Sequence, residues 1–364
     1  MKRWFSLFIL VSTALSCVYP YDLPDVSGGK EYLVVDGSIE VGNQASLSVR
    51  YMEGVDGLPV VERWWVEDDT GVRYTADTGS STVDMSGADK DKAYRMVMQV
   101  NGNTYSSSFE QVTDPPQLQE ISFDKLANNV FCNVSLKDNN AGTGFVALSY
   151  EEIWNFHTDL IDFYLVDTNY WIVVERDEPD MSRYWCWHHT RSADEVLIDL
   201  THLDGSVQYF PLMNFPCVNN RNHGDYTIKV KARSISEAEY RFRKNLANSS
   251  VGGYNLFTPN PGEIAGNVRC EEDPSAQVMG YVTLSYASTL TGKLDGRYYI
   301  APSFNRSQFV IPAPGDLPIL YYYWNYRPVY STFGEDGETL YLWGHLRCID
   351  CIADGGTLEK PDFQ

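Results

Sequence analysis

Alternation of apolar and polar positions dominates the chain. Tyr32–Ile39, Ala45–Tyr51, Val60–Val66, Tyr94–Val100 and Tyr105–Phe109 follow a period of two, which is the signature of half-buried strands. Asp56-Gly57, Thr70-Gly71 and Asn101-Gly102-Asn103 punctuate them with residues suited to hairpin turns. Roughly seven short strands in so short a span predict an Ig-like β-sandwich over 30–114. Asp114-Pro115-Pro116 closes it, because two prolines fix an extended connector and remove ladder donors. The same period at Phe131–Leu136, Gly144–Trp154, Tyr170–Val174, Val196–Leu200, Tyr226–Ala232, Val278–Tyr286 and Thr339–Trp343 predicts a larger β-rich domain over 117–364. It is expected to be a sandwich or barrel-like. One segment departs from the pattern. Ser236-Glu237-Ala238-Glu239 resembles a capping box, and Ala238, Tyr240, Phe242 and Leu246 amid Arg241, Arg243 and Lys244 predict one amphipathic helix over 236–248. No repeat of fixed period appears, which argues against a propeller or solenoid. The fold class is therefore mainly β, in two domains.

The first residues follow a different logic. Lys2 and Arg3 precede an apolar run from Trp4 to Leu15, the pattern of a signal peptide over 1–16. The run is shorter than the ~20 residues that cross a bilayer. Ala14-Leu15-Ser16-Cys17 resembles a lipobox, so Cys17 is the expected lipidated N-terminus. Residues 17–29, with Pro20, Pro24 and Ser27-Gly28-Gly29, read as a tether. Acyl chains contribute ~0.8 kcal/mol per buried methylene, so the anchor alone holds the protein to a membrane. Asp22 and Asp25 just after the cysteine favour the surface side of an outer membrane.

Charge narrows the partners. The chain has 49 acidic against 28 basic residues and a net charge of −21, which repels nucleic acid phosphates and anionic lipid. Cysteines agree with export. With Cys17 assigned to lipid, Cys132, Cys186, Cys217, Cys270, Cys348 and Cys351 remain, an even set that suggests disulfides with fifteen connectivities open. All six lie beyond the first domain, which is expected to rely on packing alone. Cys348-Ile349-Asp350-Cys351 has the spacing of a redox or zinc pair. No helix pattern follows it and only His345 is near, so structural disulfides are the better expectation.

Chemistry is harder to find. His188-His189 would point to opposite faces of a strand and could not easily share a metal; no metal or cofactor is expected. A Gly-x-Ser-x-Gly elbow and a phosphate loop are both absent. Glu151-Glu152 and Glu271-Glu272 are acidic pairs of a kind expected at this charge. Catalysis therefore has no positive signal. Binding has some: tyrosine reaches 25, and aromatics cluster in Tyr184–Trp187 and in Tyr321–Arg327. Aromatic faces stack on sugars or peptide side chains and give rigid contact area to protein partners. Tyr322, Trp324 and Tyr326 would share one face of an extended strand and are the candidate contact residues. They admit a small-molecule, glycan or peptide ligand.

Several segments carry a family likeness. Leu33–Gly37, Tyr150–Trp154, Ser234–Tyr240, Pro261–Val268 with Gly280-Tyr281, Cys348–Cys351, Gly355–Thr357 and Lys360–Phe363 resemble, in order, the family labelled domain of unknown function 4249. Gln364 departs from it, where Trp is expected. The resemblance implies an outer-membrane lipoprotein of Bacteroidota, encoded beside a TonB-dependent receptor, with no assigned activity and no catalytic residues to carry over. The function expected is thus a non-enzymatic accessory to such a receptor in nutrient capture or uptake. A surface adhesion or scaffolding protein is the alternative, and a hydrolase with an unrecognised acidic site ranks third.

Overall fold

The computed structural model describes residues 33–51, 57–137, 144–202, 206–251, 266–276, 278–294, 298 and 309–363. Cys17, the signal peptide and the tether lie outside the described residues. The first strands are Leu33–Glu40 (β1), Gln44–Tyr51 (β2), Val61–Asp68 (β3), Arg73–Thr75 (β4), Thr82–Asp84 (β5), Ala93–Val100 (β6), Asn103–Ser107 (β7) and Glu110–Gln111 (β8). Then come Gln117–Leu126 (β9), Asn129–Lys137 (β10), Phe145–His157 (β11), Asp162–Asp167 (β12), Ile172–Asp180 (β13), Trp185–Arg191 (β14), Val196–Asp199 (β15), Val207–Pro216 (β16) and Tyr226–Ile235 (β17). Helix Glu237–Val251 (α1) precedes Val268–Cys270 (β18), Val278–Ser285 (β19) and Ala287–Leu294 (β20). A short helix Leu317–Tyr322 (α2) leads to Tyr326–Phe333 (β21) and Thr339–His345 (β22).

The first sandwich faces a sheet ordered β19-β1-β2-β5 against one ordered β18-β7-β6-β3-β4, with β8 added on β6. Its core follows directly from alternation. Leu33, Val35 and Ile39 of β1 meet Tyr94, Met96, Met98 and Val100 of β6 around Trp64 and Val66, while Asp36, Ser38 and Glu40 point away. Gly37 sits where a Cβ would come within 3.0 Å of Met96 Sδ and Val282 Cγ2.

This sandwich is not confined to 30–114. β19 pairs with β1 in parallel from Leu33↔Val278 to Glu40↔Ser285, and β18 pairs with β7. Two strands from the expected second domain therefore complete the first. Period-two alternation assigns a strand its faces but not its neighbour, so pairing across more than two hundred positions left no local trace. Gly280 is what permits the pairing: its φ is +103°, and a Cβ there would lie 1.8 Å from Val35 O.

The second sandwich stacks β16-β10-β9 on β14-β11-β17-β20, with β15 also on β11. Val130, Val134 and Leu136 pack against Val146, Leu148, Ile228 and Val230. No closed barrel forms among the described residues. Tyr286 alone separates β19 from β20, so the chain passes from one sandwich to the other in a single residue. Beside that crossing Ser234 Oγ donates to Thr113 O and Ser288 Oγ to Pro116 O, and Lys231 pairs with Glu40.

α1 lies where the sequence puts it, and Ser236 Oγ accepts from Glu239 N at 3.1 Å. The reciprocal half of the capping box is missing. Glu239 turns inward instead, fully buried beside Arg233 and Arg243. Arg243 Nε is 2.8 Å from its Oε1 but outside hydrogen-bond geometry, so neither carboxylate oxygen has a hydrogen-bond partner. Arg233 and Arg243 are shared with Glu195, which takes both. Burial pushes the Glu239 carboxyl up to about 7, against the pull of Arg243 and Arg233 and with added repulsion from Glu195 and Glu110. Tyr240 and Phe242 hold the helix down on Phe145 and Tyr281.

Cysteine pairing corrects the expectation of a fully bonded set. Among the six, only Cys186 and Cys351 are bonded. Cys132, Cys217 and Cys270 are buried thiols, and Cys348 is half-buried. Cys132 and Cys217 belong to the core of the second sandwich, and burial pushes the Cys132 thiol up to about 12. Cys270 belongs to β18, in the first sandwich. Cys132 and Cys217 serve as small apolar core groups, which an even count cannot reveal. The bond pins the C-terminal segment to β14, where Trp187 and Thr357 exchange backbone hydrogen bonds at 2.7 and 2.8 Å.

Two measurements check these contacts. Cys186→Ser is expected to cost about 2–4 kcal/mol in urea unfolding of the oxidised protein, because it frees a loop closed over 165 residues. Glu239 has a raised folded pKa, so its protonated form favours the folded state. Stability should fall as pH rises from the ordinary Glu range toward about 7, and Glu239→Gln should remove that slope in urea titrations at stepped pH.

Candidate binding surface on the two-hairpin module

A third unit stands on the second sandwich. The β12–β13 and β21–β22 hairpins and α2 share a small core of Leu317, Leu320 and Trp343 with Val166, Trp171, Val173, Tyr326 and Tyr341 against it. Tyr164 of β12 donates to Ser331 of β21, which ties the hairpins together.

Tyr322, Trp324 and Tyr326 all fall in this unit, but not on one strand. Tyr322 ends α2, and Tyr323 and Trp324 both donate backbone bonds to Ile319 O. Asn325 then takes a φ of 56°, and Tyr326 opens β21. The expectation of a shared extended face is thus overturned. Pro318 in the first turn and the Tyr323 cap bond favour a turn of helix over a strand here. The three residues divide: Tyr326 is half-buried in the module core, whereas Tyr322 and Trp324 are 63% and 60% exposed. Between them Tyr323, which sequence reasoning missed, is 82% exposed.

The β12–β13 hairpin adds to this surface. Tyr164, Val166 and Val173 face the module, so Phe163, Leu165, Ile172 and Val174 face outward and are exposed, with Tyr170 at the turn. Trp171, at a φ of 55°, sets its ring edge-on to Tyr321 and Tyr322 at 6.0 and 5.8 Å. The signal was present in Asp162–Asp167, where both faces of the strand are apolar. Contiguous exposed apolar side chains are the kind of surface that contacts partners.

Between the two hairpins and the segment after β22 lies a polar cleft of about 390 Å3 lined by Asp162, Arg176, Asp180, Arg183, Arg327 and Asp350 among others. Arg327 stacks on the Tyr321 ring at 3.6 Å. Its Nη1 donates to Tyr321 O and Tyr326 O. Burial holds the Arg327 pKa below the usual arginine range, opposed by Tyr321, Asp162 and Asp350.

The other candidates disperse. His188 stacks on Trp154 at 4.6 Å, and burial holds its pKa low; His189, on the opposite face, lies 3.5 Å from Glu151. Glu152 is buried and takes Arg221 Nε and Nη2 at 2.8 and 3.0 Å and the Tyr226 hydroxyl at 2.7 Å. Its neighbour Glu151 is on the other face of β11, so the two carboxylates do not converge. Among the described residues no group of three His, Cys, Asp or Glu side chains could hold a metal ion.

Fold and surface define a mainly β protein of two sandwiches that carries an aromatic module. The chain belongs to the family described as a domain of unknown function, DUF4249, which matches residues 18–291. β12 and β13 fall inside that match, while α2, β21 and β22 fall beyond it. No curated protein matches the chain. A solved segment of two fibronectin type III domains from chicken tenascin is similar at 14% identity over 54% of this chain and 88% of that one, with a TM-score of 0.17. A DUF3823 family protein from Bacteroides ovatus is 8% identical over 56% and 90%, at 0.15. A putative carbohydrate binding protein from Bacteroides uniformis is 12% identical over 57% and 92%, at 0.16.

Surface and core aromatics of the module should separate on mutation. Trp324→Ala should change stability by less than about 1 kcal/mol, while Trp343→Ala, which empties the module core, should cost about 3–5 kcal/mol. Urea unfolding of the two variants reads the difference.

Proposed function

We propose that this protein is a lipid-anchored outer-membrane binding protein, not an enzyme, that serves as accessory to a TonB-dependent receptor in nutrient capture or uptake. The observation that carries the binding role is the exposed row Tyr322, Tyr323 and Trp324 on a unit with its own core. Large aromatic side chains held rigidly in water are the groups whose burial dominates partner binding. The receptor enters from the family resemblance, and the anchor from the lipobox at Cys17. The net charge of −21 favours a partner other than nucleic acid.

The test is affinity purification from detergent-solubilised outer membrane. The full-length protein should bring down a TonB-dependent receptor, and a Tyr323→Ala/Trp324→Ala variant should lose it while melting normally. A wild-type protein that captures no such receptor, or a variant that captures it unchanged, contradicts the proposal. Growth separates it from surface adhesion: deletion should impair use of one nutrient, whereas loss of an adhesin should impair none.

A further inference from the structure

The cleft between the two hairpins has an imbalance of hydrogen-bonding groups. Each of its three guanidiniums carries five N–H donors. Its carboxylates are already engaged within the fold. Asp162 accepts from Tyr164 N and from Arg176 Nη2. Asp180 accepts from Ser182 N. Asp350 accepts from Arg183 Nη1 at 2.6 Å and from Ile352 N at 2.9 Å. Donors are left over on two arginines. Arg176 Nε is buried without a hydrogen-bond partner. Arg327 spends only Nη1, on two backbone carbonyls, and forms no ion pair among the described residues.

The unused edge of Arg327 is the pair Nε and Nη2. That edge presents two parallel N–H groups and matches both oxygens of a carboxylate. The protein itself shows what the edge does when a partner is supplied. Arg221 uses Nε and Nη2 to grip Glu152 at 2.8 and 3.0 Å, with its guanidinium over the Trp154 ring at 4.5 Å. Arg327 repeats the half of that arrangement that lies on an aromatic ring, stacking on Tyr321, while Asp162 and Asp350 act on it only through space, each bonded to a different arginine. Arg327 therefore presents an unpaired Nε/Nη2 edge in a cleft whose aspartates bond to other groups.

We propose that this cleft is a binding site for a small carboxylate ligand that carries a ring. Its carboxylate is held on the Nε/Nη2 edge of Arg327 with Arg176 and Arg183 beside it, and its ring lies against the apolar part of the lining, Leu346 and Ile349. Asp162, Asp180 and Asp350 keep the neighbouring guanidiniums oriented and leave the cleft without excess positive charge, which disfavours dianions. The proposal deepens the binding reading above by naming a ligand class, and it rests on that reading for its physiological role.

The test uses the purified, folded protein and intrinsic tryptophan and tyrosine fluorescence. Glucuronate and benzoate represent the sugar and aromatic sources of the ring, each compared with its uncharged counterpart, glucose and benzamide. Inorganic phosphate serves as the generic anion. Saturable binding of at least one of the two acids, at least about tenfold tighter than its uncharged counterpart and than phosphate, is the expected result. Arg327→Gln and Arg327→Lys should each weaken it about tenfold or more, the lysine because it keeps the charge and loses the fork. The acid that binds identifies the ring source. Melting curves show whether either variant is folded, and the comparison of acid with neutral counterpart needs no variant. Absence of saturable binding by either acid, equal binding of phosphate, or an unchanged affinity in folded Arg327→Lys would overturn the proposal. Carboxylate binding that survives while receptor capture fails would refute the accessory role and leave this site standing.

Discussion

The parallel ladder between Leu33–Glu40 and Val278–Ser285 is the contact on which the rest depends. It makes the first sandwich a product of two distant segments. The strand that completes it continues after Tyr286 into the second sandwich, so neither sandwich is assembled before the chain has been made well past its middle. The outward face of β19 reinforces the joint: Tyr281, Thr283 and Ser285 are buried although they point away from the first core. Opposite them β17 turns Lys231 and Arg233 toward Glu40 and Glu195. The join between sandwiches is therefore polar and directional, while each core stays apolar. A parallel ladder with long loop closure is slow to form but holds its two ends in one register.

On that body the two-hairpin module combines properties that normally exclude each other. Its core is small, with Trp343 as the largest member, and its outward faces carry Tyr170, Tyr322, Tyr323 and Trp324 exposed. The Cys186–Cys351 bond and the Trp187–Thr357 bridge fix the segment that follows β22 to the second sandwich. The Arg183–Asp350 pair adds a polar tie between the β13–β14 connection and the same segment.

Sequence reading reached strands such as β1, β6, β10 and β19, and α1, because alternation and a capping serine are local signals; β13 runs six residues past its expected end and α1 three, and strands with weaker alternation, among them β9, β14 and β16, were not legible. It missed what is not local. Neighbour relations such as β1 with β19 depend on Gly280 accepting a left-handed φ against Val35 O, and nothing around Gly280 in the sequence distinguishes it from a turn glycine. The Tyr321–Arg327 stretch resembled a strand because aromatic residues favour sheets. A six-residue helix is too short to show a helical period, and only Pro318 hinted at it. Cysteine parity failed for a chemical reason: a thiol is satisfied by an apolar core, so Cys132 and Cys217 need no partner. The unshared edge of Arg327 was also invisible, since which acid faces which arginine is decided by tertiary register.

The central claim is that the exposed face of the two-hairpin module is where this protein meets its partner at the membrane. A photo-reactive amino acid in place of Tyr323, in the lipidated protein in cells, tests it most directly, with the same group in place of Lys125 on β9 as reference. The account predicts a discrete cross-link to a TonB-dependent receptor from position 323 and none from position 125. Equal labelling from both positions, or a cross-link from position 125 alone, would contradict it.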